Sequence, residues 1–195
     1  RDPINPYGRT KLTVENFLEH ICDTHGLNAT CLRYFNAAGA HHSGSLGEAH
    51  EPETHLIPKI LRAGNYPSEK LKVFGNDYNT PDGTCVRDYV HVEDLAQAHL
   101  KALEFMHAKQ GFSTFNLGNG NGFSVLEVIK ACEHVLGKRV DYQFSDRREG
   151  DPPVLIADSQ KAIDQLGWNP QYSALESIIM SAYFWHLSES EFSLQ

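Results

Sequence analysis

Tyr7 and Lys11 lie one helical turn apart in the run Asn5-Pro6-Tyr7-Gly8-Arg9-Thr10-Lys11. A phenol with a cation held beside it can shuttle a proton, because the ammonium favours the phenolate. Such a pair makes a general base for an alcohol proton. Asn5 suits an N-cap and Pro6 the first helical position, so a helix is predicted from Pro6 to His25. At about 100° per residue, Tyr7 and Lys11 share a stripe with Val14, Leu18 and Ile21, with Phe17 beside them. The pair is therefore expected on the buried side of its helix, where a lysine needs a partner or a task. A capping tyrosine followed by a snorkelling lysine would give the same spacing, so the rest of the chain must decide.

The elements that position this pair read as an α/β chain. His25-Gly26-Leu27-Asn28 stops the helix, and Ala29 to Tyr34 reads as a buried strand ending in Phe35-Asn36. Helix then strand fits a parallel layer. A long loop rich in Gly, Ser, His and Glu runs from Ala37 to Thr54, and loops of that length in compact domains are usually functional or disordered. Further helices are predicted at Leu56 to Ala63, Glu93 to His107, Ser124 to Leu136, Ser159 to Leu166 and Ala174 to His186. Strands are predicted at Lys72 to Phe74, Thr84 to Val92, Phe112 to Leu117, Val140 to Phe144 and Val154 to Ala157. Ser124 and Glu127 form a capping box. Gly118, Gly120 and Gly122 precede that helix and could cradle a phosphate. Their spacing matches neither G-x-G-x-x-G nor a P-loop, and a turn rich in positive φ is the favoured reading.

Composition narrows the function classes. The chain has 195 residues, 41% hydrophobic and 22% charged, ordinary values for a globular protein. A net charge of −8 argues against a nucleic-acid surface. Cys22, Cys31, Cys85 and Cys132 are widely spaced and read as reduced thiols of a cytoplasmic protein. No apolar run approaches the roughly 20 residues that span a bilayer, so no membrane partner is expected. His41, His42, His50 and His55 cluster in the loop, but no H-E-x-x-H helix or cysteine frames them; they read as surface histidines, with no metal.

Several runs together carry a resemblance. Tyr7-x-x-x-Lys11 after Asn5-Pro6, followed by Leu32-Arg33-Tyr34-Phe35-Asn36-Ala37-Ala38-Gly39-Ala40, resembles the extended short-chain dehydrogenase/reductase superfamily. The run from Val73 to Tyr78, that from Asp82 to Val92, Phe115 to Gly120, and Arg147-Arg148-Glu149-Gly150-Asp151-Pro152 narrow it to the UDP-glucose 4-epimerase family. The resemblance runs from about Asn5 to His186, and the ordered set is far more specific than Tyr-x-x-x-Lys alone.

The resemblance implies the end of a Rossmann-type parallel α/β domain followed by a smaller mixed α/β substrate-binding domain. It divides the chain into 1–40, a remnant of the NAD-binding domain, and 41–195, a UDP-sugar domain, with 86–107 packing back on the Rossmann sheet. It implies interconversion of UDP-glucose and UDP-galactose through a 4-keto sugar and transient reduction of NAD. Tyr7 would be the catalytic base, Lys11 would tune it and reach the nicotinamide ribose, and Tyr34 would lie beside the nicotinamide. Arg87 and Arg148 match diphosphate-binding arginines, Asn36 a phosphate contact and Asp151 an acceptor for ribose hydroxyls. Phe74 lies on the segment along uracil, and Leu56 and Tyr89 accompany the substrate-binding set. In this family UDP-sugar enzymes are commonly homodimers.

Two departures stand out. His55 stands where some relatives have Asn before the Leu that opens the short helix, which leaves that nucleotide contact open. Leu155 stands where others have a Tyr or Cys that gates sugar size, so acceptance of N-acetylated sugars is open. The Gly-rich dinucleotide fingerprint and the catalytic Ser or Thr that precede the Tyr in this family are absent from these residues. The chain opens on Arg1, close to its catalytic helix, and a preceding part is expected; the 195 residues alone are expected to be inactive. A nucleotide-sugar 4,6-dehydratase of the same superfamily and a non-catalytic UDP-sugar-binding fragment are the alternatives.

Overall fold

The computed structural model describes residues 2–66 and 70–192. Helix α1 (Pro6–His25) forms as its signals dictate. The Asn5 side chain accepts from the Gly8 N–H at 2.8 Å, Pro6 occupies the first turn, and Gly26 closes the helix at φ 69°. Strand β1 (Ala29–Tyr34) pairs in parallel with β5 (Phe112–Leu117), with Ala29 opposite Phe112 and Tyr34 opposite Leu117. This confirms the parallel layer, although β1 is half-buried and not buried throughout.

A second sheet is organised around β4 (Val86–His91). On it lie β2 (Asn36–Ala38), parallel; β6 (Gly122–Ser124), antiparallel; and β8 (Val154–Leu155), parallel. The register sets Asn36 opposite Tyr89, and Arg87 opposite both Phe123 and Leu155. Strands β3 (Leu71–Phe74) and β7 (Tyr142–Ser145) form a separate parallel pair. The helices between these strands are α2 (Leu56–Asn65), α3 (Val92–Ala108), α4 (Val125–Leu136), α5 (Gln160–Leu166) and α6 (Leu175–Phe192). Among the described residues no helix is long and apolar enough to cross a membrane.

Two apolar clusters hold these layers. Ile57, Ile60 and Leu61 of α2 meet Val128, Ile129 and Cys132 of α4 and Ile178 and Ile179 of α6. Each such side chain removed from water contributes about 1.5–3 kcal/mol. The second cluster joins Val90, Leu95, Ala98, Phe115, Leu117 and Trp168, with Leu32 of β1 packed against it. The Trp168 indole donates to the Asp94 carbonyl at 2.9 Å, and the Asp94 carboxylate accepts from the Gln171 and Tyr172 N–H groups. The predicted capping box is present, with Ser124 accepting from the Glu127 N–H and Glu127 from the Ser124 N–H.

The α1 stripe is a correction. The residues buried on α1 are Glu15 and Cys22, whereas Tyr7, Val14 and Phe17 are 71%, 53% and 62% exposed. The reason lies in β1: the buried Glu15 carboxylate takes a two-pronged contact from the Arg33 guanidinium, and that hydrogen bond raises the pKa of Arg33. An ion pair of this kind turns its own face of the helix to the sheet. On the stripe bearing Tyr7 and Lys11 the first turns, through Val14, face outward, while Leu18 and Ile21 are half-buried.

Candidate active site

Strand β4 is the frame of the site. It carries Arg87 and Tyr89 on neighbouring pleats, with β2 supplying Asn36 on one side. The Asn36 amide is fixed by donating to the Asp88 carbonyl at 2.7 Å. Asp88 itself is buried, and its carboxylate accepts from the N–H groups of Asn119, Gly120 and Ala157 at 2.9, 2.9 and 3.1 Å. A Cβ on Gly118 would lie 2.5 Å from that carboxylate, and Gly120 has φ 73°. The glycine run is thus a turn closed by the protein's own anion, which occupies the N–H groups a phosphate would use.

A cleft of about 520 Å³ opens beside β4. Asn36, His55, Leu56, Phe74, Arg87, Tyr89, Arg148 and Asp151 all line it. Eight of the expected substrate contacts, from five separate segments, meet there. Arg87 is nearly buried; its guanidinium donates to the Asp151 carboxylate at 2.8 Å and to the Val86 carbonyl at 2.8 Å. The partner of Arg87 is therefore Asp151, not its neighbour Asp88. The Arg148 guanidinium lies over the Phe74 ring, 4.0 Å from its centroid. Lysines 59, 70 and 72 also line the cleft, so five cations face two anions, Glu48 and Asp151. A protein of net charge −8 has concentrated positive charge where a diphosphate would need it. Burial raises the Tyr89 pKa, which keeps that phenol a hydrogen-bond donor.

Four expected site residues lie outside this lining. Leu155 is half-exposed on β8, in register with Arg87. The Tyr34 hydroxyl lies 3.4 Å from the His99 ring, on the exposed end of β1. The Lys11 ammonium sits over the Tyr7 ring, 5.0 Å from its centroid, and both residues are open to solvent. The two regions come near each other at Gly150, where an added Cβ would lie 3.5 Å from the Asn5 Cβ, beside the cap of the Tyr7 helix. Trp185, His186 and Glu48 were not foreseen as lining residues. The sequence shows Trp185 and His186 only as the end of an apolar helix, and Glu48 only as one acid in a loop.

The residues 2–118 match the NAD dependent epimerase/dehydratase family. The chain belongs to that family. Similar relatives include a UDP-glucose 4-epimerase of Halalkalibacterium halodurans, 49% identical over 94% of this chain and 55% of the relative. Among solved structures, the UDP-glucose 4-epimerase of Brucella ovis in complex with NAD superposes with a TM-score of 0.88 at 47% identity, over 94% of this chain and 56% of that one. The Bifidobacterium longum UDP-glucose 4-epimerase in complex with NAD+ and UDP gives 0.91 at 38% identity, over 97% and 57%. The chain spans about half the length of the curated relatives it matches.

The family is NAD dependent, and the residues present fit one end of that cofactor. Tyr7, Lys11 and Tyr34 are all accessible and offer hydroxyl and ammonium groups that could meet a ribose. Burial pushes the Cys132 thiol up to about 12, which leaves it without a role in such chemistry.

Proposed function

We propose that this chain supplies the catalytic base and the UDP-sugar cleft of a UDP-glucose 4-epimerase that uses NAD. The observation that carries this reading is the cleft around Arg87 and Arg148, with Asp151, Asn36 and Phe74 placed to accompany them. Arg87 and Arg148 hold the diphosphate, assisted by Asn36; Asp151 accepts from ribose hydroxyls; Phe74 packs along uracil. Leu56, Tyr89 and His55 complete the wall, and Leu155 borders the sugar. Binding energy spent on the nucleotide leaves the sugar free to turn over, as a reaction that presents both faces of C4 requires.

Tyr7, as phenolate, takes the proton of the sugar 4-hydroxyl as that carbon becomes a ketone, and returns it when the alcohol re-forms with the opposite configuration. Lys11 stabilises the phenolate and binds the nicotinamide ribose. NAD, when bound, supplies the reversible two-electron acceptor that this oxidation needs. The nearness of Asn5 to Gly150 supports the reading, since it brings the helix of the base beside the loop that grips the substrate.

On the same reading, residues 1–40 belong to the NAD-binding domain and 41–195 to the UDP-sugar domain, with 86–107 returning to the first. The protein works in the cytoplasm, where cysteines outside disulfides persist, and as a homodimer. Calorimetric titration with UDP tests the proposal. Saturable binding that competes with UDP-galactose is the expected result. No heat of binding at millimolar UDP would remove it.

A further inference from the structure

We infer that Glu48, His50 and His55 form a binding site for a divalent transition-metal cation at the rim of the cleft. Their three ligand atoms, one carboxylate oxygen and two imidazole nitrogens, all lie within 4.8 Å of one another. His55 Nδ1 touches the Glu48 carboxylate, His50 Nδ1 is 3.7 Å from the same oxygen, and the two imidazole centroids are 5.3 Å apart. Tetrahedral coordination at about 2.0–2.1 Å sets ligand atoms about 3.3 Å apart, so small side-chain rotations would seat an ion.

The donors are also held in place. The Trp185 indole donates to the Glu48 carbonyl at 3.1 Å, and a Cβ on Gly47 would lie 2.2 Å from the Trp185 ring, so this part of the loop lies flat on α6. His55 occupies the N-cap of α2 but makes no side-chain cap bond; its Nδ1 turns instead to the Glu48 and Glu53 carboxylates. Glu53 accepts from the Thr54 and His55 N–H groups at 2.6 Å each and lies 3.0 Å from His55 Nδ1, the nitrogen that Glu48 also meets, so the ring's orientation is fixed with Nε2 left to ligate. Two imidazoles and a carboxylate select zinc, cobalt or nickel over magnesium or calcium. Loops rich in histidine gain no such geometry from sequence spacing alone; here Glu48 supplies the framing acid.

The site shares Glu48 and His55 with the cleft lining but does not rest on the UDP reading, and it is tested with zinc alone, in the protein that carries this chain. Competition with a chromophoric chelator should show one bound zinc in wild type. His50→Ala, an exposed position outside the cleft lining, should weaken zinc binding by at least about tenfold, no less than a supporting residue is worth. His41→Ala, in the neighbouring group of His41, His42 and Glu93, should leave it unchanged. Circular dichroism checks that each variant is folded. Equal zinc affinity in wild type and His50→Ala, loss in His41→Ala alone, or no zinc bound at all would each overturn the inference. UDP titration of the metal-free protein separates this from the cleft: zinc failing with UDP bound condemns only the metal site.

Discussion

The Arg87 guanidinium and the Asp151 carboxylate meet at 2.8 Å across 64 residues of chain. The pair holds Arg87 extended toward the cleft before any anion arrives, and it ties β4 to the loop that also carries Arg148. Preorganisation of this kind reduces the ordering that a ligand must impose.

The first expectation follows from that geometry. Arg87→Ala and Arg148→Ala should each weaken UDP binding by about 1.5–3 kcal/mol, the range for hydrogen bonds to charged groups. Calorimetry would register roughly tenfold or more in the dissociation constant. Unchanged affinity in both variants would leave the proposed diphosphate site without support.

Asp88 gives a stability test. Its buried carboxylate satisfies three backbone N–H groups, and Asp88→Ala would strand them. With about 1–3 kcal/mol for each unsatisfied group, urea unfolding should show a loss of at least about 3 kcal/mol. A loss below about 1 kcal/mol would mean that the glycine turn does not depend on this anion.

Much of this fold was legible because the signals are local. Asn5, Pro6 and Gly26 bound α1, and Ser124 with Glu127 opens α4, as read from the sequence. The three-residue strands Asn36–Ala38 and Gly122–Ser124 escaped, since they are too short for a period and exist only through pairing with β4. Gly122 earns its place by closeness: a Cβ there would lie 2.5 Å from both Ile156 and Val86. The outward turn of the Tyr7 stripe was not legible either. Glu15 instead meets Arg33 of β1, a contact between residues 18 apart that periodicity cannot register. The cleft residues were found through family resemblance, while the Arg87–Asp151 pairing and the Glu48–His55 contact needed the folded chain.

His91 predicts a pH dependence. Burial lowers its pKa from 6.5, against the pull of Glu93 and Asp94, while its ring stacks on Tyr172 and lies 3.0 Å from the Ser181 hydroxyl. As pH falls below 6.5, the unfolded chain takes up a proton that the folded protein refuses, so stability declines. Thermal unfolding from about pH 7.5 to about pH 5.5 should show this slope, and His91→Gln should flatten it. An identical slope in the variant would contradict the assignment.

Tyr7 as the base is open to direct measurement. In the protein that carries this chain, UDP-galactose to UDP-glucose turnover is compared between wild type and Tyr7→Phe, alongside UDP affinity. Loss of general acid–base help predicts a fall in turnover of at least about 10²-fold with UDP affinity nearly unchanged. Full turnover in Tyr7→Phe would remove Tyr7 from the mechanism and contradict the account.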